Sequence, residues 1–326
     1  MIASAVLGIA LLGCGGSGER KEAVDAQKKI TIAVIPKGTL GSFWKSVHAG
    51  AVKASRELDV DIIWKGPIKE DDREEQVQLV ENFIASKIDA IVLAPLDDRA
   101  LVLPVREAKE HGIPTIVIDS GLQGEYHESY ISTDNYRGGV LAAERIGELT
   151  GGKGKLIVLR YLEGSASTTQ REAGFLDTIR AKFPDIEILS ENQYSGATTD
   201  SAVHAAENLL NRYGDVTAFF GPNDTSAFGI LRAVQDAGRA GEIVVVGFDT
   251  LDKLLDAMKE GTIQGLAVQN PFNMGYLGVK TAYGYIKGLP VEKRIDTGVI
   301  MATPENMNDT EVHKLLYPDL SPYLNE

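Results

Sequence analysis

Apolar positions along this chain fall into two alternating rhythms. The first is the unbroken run Ile30-Thr31-Ile32-Ala33-Val34-Ile35, closed by Pro36, which reads as a buried strand. The second follows behind Ser42. Phe43, Val47, Ala51, Ala54 and Leu58 recur at helical spacing, with Ser42 placed to cap the helix. Further strand-like runs lie at 60–64, 90–93, 115–118, 156–159 and 186–189. Between them come helical stretches. One opens at Asp72, with Glu75 three residues on, and carries Val77, Val80 and Ile84. Others lie at 100–110, from about 135, and at about 170–182. Short strands alternating with helices over the whole length predict parallel sheets covered by helices on both faces.

A faint internal repeat sharpens this. Residues 91–120 and 218–250 both run strand, Pro, polar turn with Asp, helix, Gly, apolar strand, terminal Asp. Pro95 and Asp119 in the first match Pro222 and Asp249 in the second. Any two strand–helix–strand units share part of this by chance. The more specific reading is two copies of one α/β architecture, each with an Asp at a strand's carboxyl end, where open α/β sheets bind ligands. Two such lobes facing each other would line a cleft from both sides.

Composition narrows the classes. The 326 residues hold 33 Lys and Arg against 46 Asp and Glu, a net charge of −13 that lacks a nucleic-acid binder's footprint. One cysteine excludes an intrachain disulfide and a thiolate zinc site. Residues 2–13 are apolar or small, too short to span a bilayer but suited to a signal peptide, 1–13. No Lys or Arg precedes them, which would put the translation start upstream. Leu11-Leu12-Gly13-Cys14 resembles a bacterial lipobox, so Cys14 is expected to carry lipid and 14–29 to form a tether. The GxGxxG letters at Gly13, Gly15 and Gly18 follow no strand, and Gly147-x-x-x-x-Gly152-Lys153 lacks the Ser or Thr of a P-loop. No Gly-x-Ser-x-Gly elbow or HExxH occurs, and His48, His111, His127, His204 and His313 are scattered. No catalytic residue, metal or cofactor is therefore expected.

At the strand ends the sequence places Phe43, Trp44, Asp119, Arg171, Asn223, Asp249 and Gln269. Carboxylates, amides and a guanidinium fork suit a polyhydroxylated ligand, and flat rings cover a sugar's C–H face. Each position also has a plainer use. Phe43 or Trp44 suits a core, either Asp a helix cap, and Arg171 a pair with Glu172 or Asp177. Asn223 suits a turn or cap, and Gln269 a loop. Their coincidence at strand ends favours a site.

These residues resemble the type I periplasmic sugar-binding proteins, the ribose-binding-protein-like receptors of ABC importers, over about residues 30–303. The resemblance is carried by Ser42-Phe43-Trp44, Ile118-Asp119, 164–175 (GSASTTQREAGF), Gly221-Pro222-Asn223-Asp224, Val246-Gly247-Phe248-Asp249 and Val268-Gln269. It implies two similar doubly wound parallel-sheet lobes joined by a three-crossing hinge, at Thr133-Asp134-Asn135, Gln269-Asn270 and 296–298. The lobes would comprise 30–133 plus 270–297 and 134–269 plus 298–326. Phe43 and Trp44 would form an aromatic clamp, Phe248 a second-lobe wall, and the polar residues a hydroxyl-binding set.

Gly41, Ala94, Ser120 and Ala197 replace side chains that a ribose binder uses, which argues against ribose itself. Lys37, Lys65 and Arg160 follow strands; they are ordinary surface charge or hold an anionic group, and Ser120 is a further candidate contact. The expected function is a monomeric, lipid-anchored, periplasmic or cell-surface protein. It would capture a sugar or polyol and deliver it to a membrane ABC permease, with no nucleic-acid partner and no enzymatic step. The alternatives are a sensing receptor of the same fold and a binder of an acidic sugar or sugar phosphate.

Overall fold

A computed structural model describes residues 1–2 and 28–324. The signal-peptide and Cys14 readings concern a segment that lies almost wholly outside the described residues. The chain runs β1 (Thr31–Ile35), α1 (Ser42–Leu58), β2 (Asp61–Trp64), α2 (Arg73–Ala85), β3 (Ala90–Leu93), α3 (Val102–Glu110), β4 (Thr115–Ile118) and β5 (Ser129–Ser132). After α4 (Asn135–Leu149) a second series follows: β6 (Gly154–Arg160), α5 (Ala166–Lys182), β7 (Ile186–Tyr194), α6 (Thr199–Arg212), β8 (Ala218–Phe220), α7 (Asp224–Asp236), β9 (Val244–Phe248), α8 (Asp252–Lys259) and β10 (Gly265–Val268). Then come α9 (Pro271–Ile286), β11 (Arg294–Asp296), β12 (Ile300–Ala302) and α10 (Thr310–Leu316).

The strands form two sheets of matching order, β11-β5-β4-β3-β1-β2 and β12-β10-β9-β8-β6-β7. Among the described residues only the β10–β12 pair is antiparallel. The strand runs are apolar at consecutive positions because each sheet is covered on both faces. In the first lobe Ile32, Val34 and Val92 face α1 and α9, while Ala33, Ile35 and Ile91 face α2 and α3. In the second, Leu156 and Val158 face α4 and α5, while Ile157 and Leu159 face α6, α7 and α8. This alternation at period two divides each strand between two cores.

Two helix pairs repeat the duplication at atomic detail. Gly50 and Gly174 each stand eight residues beyond the start of α1 and α5, and Gly275 and Gly139 each stand four beyond the start of α9 and α4. A Cβ on Gly50 would lie 1.9 Å from Phe272 O, and one on Gly174 2.1 Å from Tyr136 O. Only glycine permits backbones this close. Asp134 caps α4 and Asn270 caps α9, each accepting from the amide three residues on.

The chain passes between the sheets after β5, after β10 and between β11 and β12. Leu316, in the tail, is buried among the core residues of the second lobe. The last described residues return to the first lobe. Arg56 on α1 donates to Pro322 O (2.6 Å) and Tyr323 O (3.3 Å), and the Phe272 and Tyr323 rings lie 5.4 Å apart. Two local expectations change. Ser42 does not cap α1: Gly41 occupies that place at φ 93°, and the Ser42 hydroxyl donates to Thr250 O, 2.9 Å away in the other lobe. α5 begins at Ala166 rather than near 170, because its first turn buries polar Ser167 and Thr168, which hides the apolar rhythm.

Candidate functional site

The carboxyl ends of β1 and β4 in one lobe face those of β6, β8, β9 and β10 in the other across a small cavity of about 50 Å³. Asp119 and Asp249 both line it. Each has a left-handed backbone, φ 61° and 65°, and each donates its N–H to the neighbouring strand, Asp119 to Ile131 O and Asp249 to Ala267 O. Neither caps a helix. This uncommon conformation ends the strand and turns the carboxylate toward the cleft.

Each carboxylate has a cation. Asp119 Oδ2 lies 2.8 Å from Lys37 Nζ, without hydrogen-bond alignment, and Lys37 also donates across the cleft to Ser167 Oγ at 3.2 Å. Asp249 Oδ2 accepts from Arg171 Nη1 at 3.3 Å, and its Oδ1 accepts from Gln269 Nε2 at 2.6 Å. Arg171 is held on all sides: Nε donates to Asn135 Oδ1 (2.8 Å), Nη1 to Pro222 O (2.9 Å), and its guanidinium lies 3.8 Å from the Phe248 ring centre. Burial pushes the Asp249 carboxyl above the usual range, against the pull of Arg171.

Phe43 and Trp44 both line the cavity, edge to face at 4.9 Å, and Trp44 also belongs to the first lobe's core. Asn223 does two jobs. Its Oδ1 caps α7 through Ser226 N–H (3.0 Å), and its amide end is left for the cavity. Three buried atoms at the site have no hydrogen-bond partner: Asp119 Oδ2, Ser165 Oγ and Gln269 Oε1. Unmet buried polar atoms are costly, so the site is built for a ligand that brings polar groups.

Sequence reasoning missed Glu70, Tyr161 and Asp224, which line the same cavity. Glu70 accepts from Trp44 Nε1 at 2.6 Å and from Tyr161 OH, in the other lobe, at 3.2 Å. Burial raises the Glu70 pKa, and burial beside Asp249 and Glu70 pushes Asp224 up to about 7. Other expected positions fall outside the lining. Phe248 is fully buried beneath Arg171 rather than forming an open wall. Ser120 Oγ accepts from Ser167 N–H at 3.2 Å, a bond between lobes. Lys65 is exposed, because β2 is the outer strand of its sheet. Arg160 turns away to pair with Glu172 at 2.6 Å. Lys37 alone of the three cations reaches the cavity.

The model of the periplasmic binding protein domain family matches residues 32–290. This chain belongs to that family. A D-ribose/D-allose-binding protein from Pseudomonas aeruginosa is 28% identical over 285 residues, covering 85% of this chain and 88% of its own. A solute-binding protein from Agrobacterium radiobacter, solved with D-arabinose, superposes with a TM-score of 0.86 at 34% identity, covering 90% of this chain and all of its own. Another from Agrobacterium vitis, solved with D-fucose, gives 0.85 at 36%, covering 88% and 100%. The chain is thus a type I periplasmic binding protein. Among the described residues no helix is long and apolar enough to cross a membrane, and no cluster of His, Cys, Asp and Glu suits a metal.

Proposed function

We propose that this periplasmic binding protein captures a sugar or related polyol between its lobes and presents it to an ABC permease in the membrane. The observation that carries this reading is the convergence of Asp119 and Asp249, one from each lobe, on a single cavity with aromatic rings at its side. Carboxylates accept from hydroxyls, Arg171 and the Asn223 amide donate to them, and Phe43 and Trp44 cover the apolar face of a ring. A misplaced hydroxyl strands a buried polar atom, which is how such a site distinguishes stereoisomers. Relatives solved with D-arabinose and D-fucose support the ligand class.

The lobes hinge about the crossings after β5 and β10 and between β11 and β12. A ligand that touches both lobes favours the closed form and shifts the population toward it. The closed protein then offers the permease a surface that the open one lacks. The cleft binds without transforming its ligand, as a monomer. Cys14 carries the lipid that tethers the protein to a membrane surface, and replacement by Ser would release it to the soluble fraction.

The test is a thermal-shift screen of pentoses, hexoses and alditols followed by calorimetry. A rise in melting temperature with at least one of them, and a Kd in the micromolar range or below, is expected. Folded protein that responds to none of them contradicts the reading.

A further inference from the structure

Six charged side chains line the cavity: Glu70, Asp119, Asp224 and Asp249 against Lys37 and Arg171. Both cations are already committed. Lys37 sits 2.8 Å from Asp119 and Arg171 sits 3.3 Å from Asp249. Glu70 and Asp224 have hydrogen-bond donors but no ion-pair partner among the described residues. They come from opposite lobes, Glu70 from the loop before α2 and Asp224 from the first turn of α7, so closure gathers their charge around whatever the cleft holds.

A second observation points the same way. Gln269 Oε1 is a buried acceptor with no hydrogen-bond partner, and Asp119 Oδ2 has only its unaligned ion pair with Lys37. A hydroxyl hydrogen satisfies each of them; a carboxylate or phosphate oxygen has none to give. The place of Glu70 is also prepared, since a Cβ on Gly38 would stand 2.9 Å from Glu70 Cγ. Its carboxylate is fixed by Trp44 from its own lobe and by Tyr161 from the other.

The geometry points to Glu70, acting with Asp224, as the specificity determinant that restricts this cleft to uncharged sugars and excludes sugar acids and sugar phosphates. This rests on the sugar-binding reading and deepens it. An anionic ligand enclosed between two unpaired carboxylates meets repulsion that the low-dielectric closed cleft strengthens, with both nearby cations already engaged. Burial raises both pKa values, with Asp119 adding to the rise at Glu70 against the pull of Lys37, and with Asp249 and Glu70 adding to it at Asp224.

The experiment is calorimetry at pH 8 with matched pairs that differ by one charge: D-galactose and D-galacturonate, D-allose and D-alluronate, each pentose and its aldonate. The neutral member of the bound pair is expected to bind at least about 100-fold more tightly. Glu70→Gln and Asp224→Asn are each expected to shrink that ratio about tenfold. A second measurement uses the unaltered protein. Between pH 8 and pH 5.5 the acid ligands stay ionised while Asp224, raised to about 7, takes up its proton, so the ratio narrows on acidification. Equal binding of acid and neutral sugar at pH 8 overturns the assignment. So does a ratio that neither substitution nor pH moves while the neutral sugar still binds. Binding of neither class overturns the sugar reading itself, and this inference with it.

Discussion

The two lobes share a sheet order, paired glycines and a left-handed Asp at the same strand end, yet they hold their halves of the site differently. In the second lobe Arg171 spends its hydrogen bonds at home, on Asn135, Pro222 and Asp249, with Phe248 beneath it. The first lobe's side chains reach outward. Lys37 goes to Ser167, Ser42 to Thr250 O, Glu70 to Tyr161, Ser120 to Ser167 N–H and Arg73 to Glu163 O. One half is a platform whose geometry exists before closure. The other is a cover whose polar groups have partners at home, Lys37 on Asp119 and Glu70 on Trp44, and gain further ones when the lobes meet. We expect ligand to seat first on the second lobe, with the first lobe completing the grip.

The comparison breaks most sharply at the platform. Arg171→Ala leaves Asp249 buried without its cation, a loss of about 3–5 kcal/mol for breaking a buried pair. Calorimetry should show sugar binding weakened more than about 100-fold, and the melting temperature should fall. Lys37→Met, on the cover, also strands a carboxylate, but in a group that the open form exposes to water. About tenfold weaker binding is expected, expressed mainly as faster ligand release in stopped-flow traces. A larger loss from Lys37 than from Arg171 would reverse the roles of the lobes.

Acid reports on the contact between the lobes. Asp224 belongs to the platform, but part of its raised pKa comes from Glu70 on the cover. A carboxyl raised from 3.8 to about 7 contributes stability that is present below the lower value and lost as pH rises through the upper one. The melting temperature should therefore decline between about pH 4 and pH 7, and Asp224→Asn should flatten that slope. The smallest effect belongs to the tail. Ending the chain after Tyr317 removes the link from α10 to Arg56 and Phe272. Two- to fivefold weaker sugar binding is expected, with a slightly larger radius of gyration in the ligand-free protein by X-ray scattering.

What the sequence revealed follows the same division. Asp119 and Asp249 were legible because an internal repeat marks them and because strand ends are where open sheets bind. Arg171, Asn223 and Gln269 were legible as polar residues placed around those strand ends, a reading the resemblance then reinforced, and all line the cavity. Glu70 was not legible. It lies in the charged run 69–75, which reads as a solvated face, and it is buried only by residues far away in sequence. Tyr161 was missed by one position. Arg160 at the end of β6 drew attention by its charge, but successive side chains leave a strand on opposite sides, so it turns to Glu172 while Tyr161 faces the cleft. Lys65 misled for a topological reason, since an outer strand's end lies away from the central crevice.

A crystal structure of the complex with the sugar that raises the melting temperature most tests the central claim directly. It should show one sugar between the lobes, with hydroxyls bonded to Asp119 from one side and Asp249 from the other. A sugar bound elsewhere, or one that meets only a single lobe while the opposite carboxylate keeps to its lysine or arginine, would contradict it.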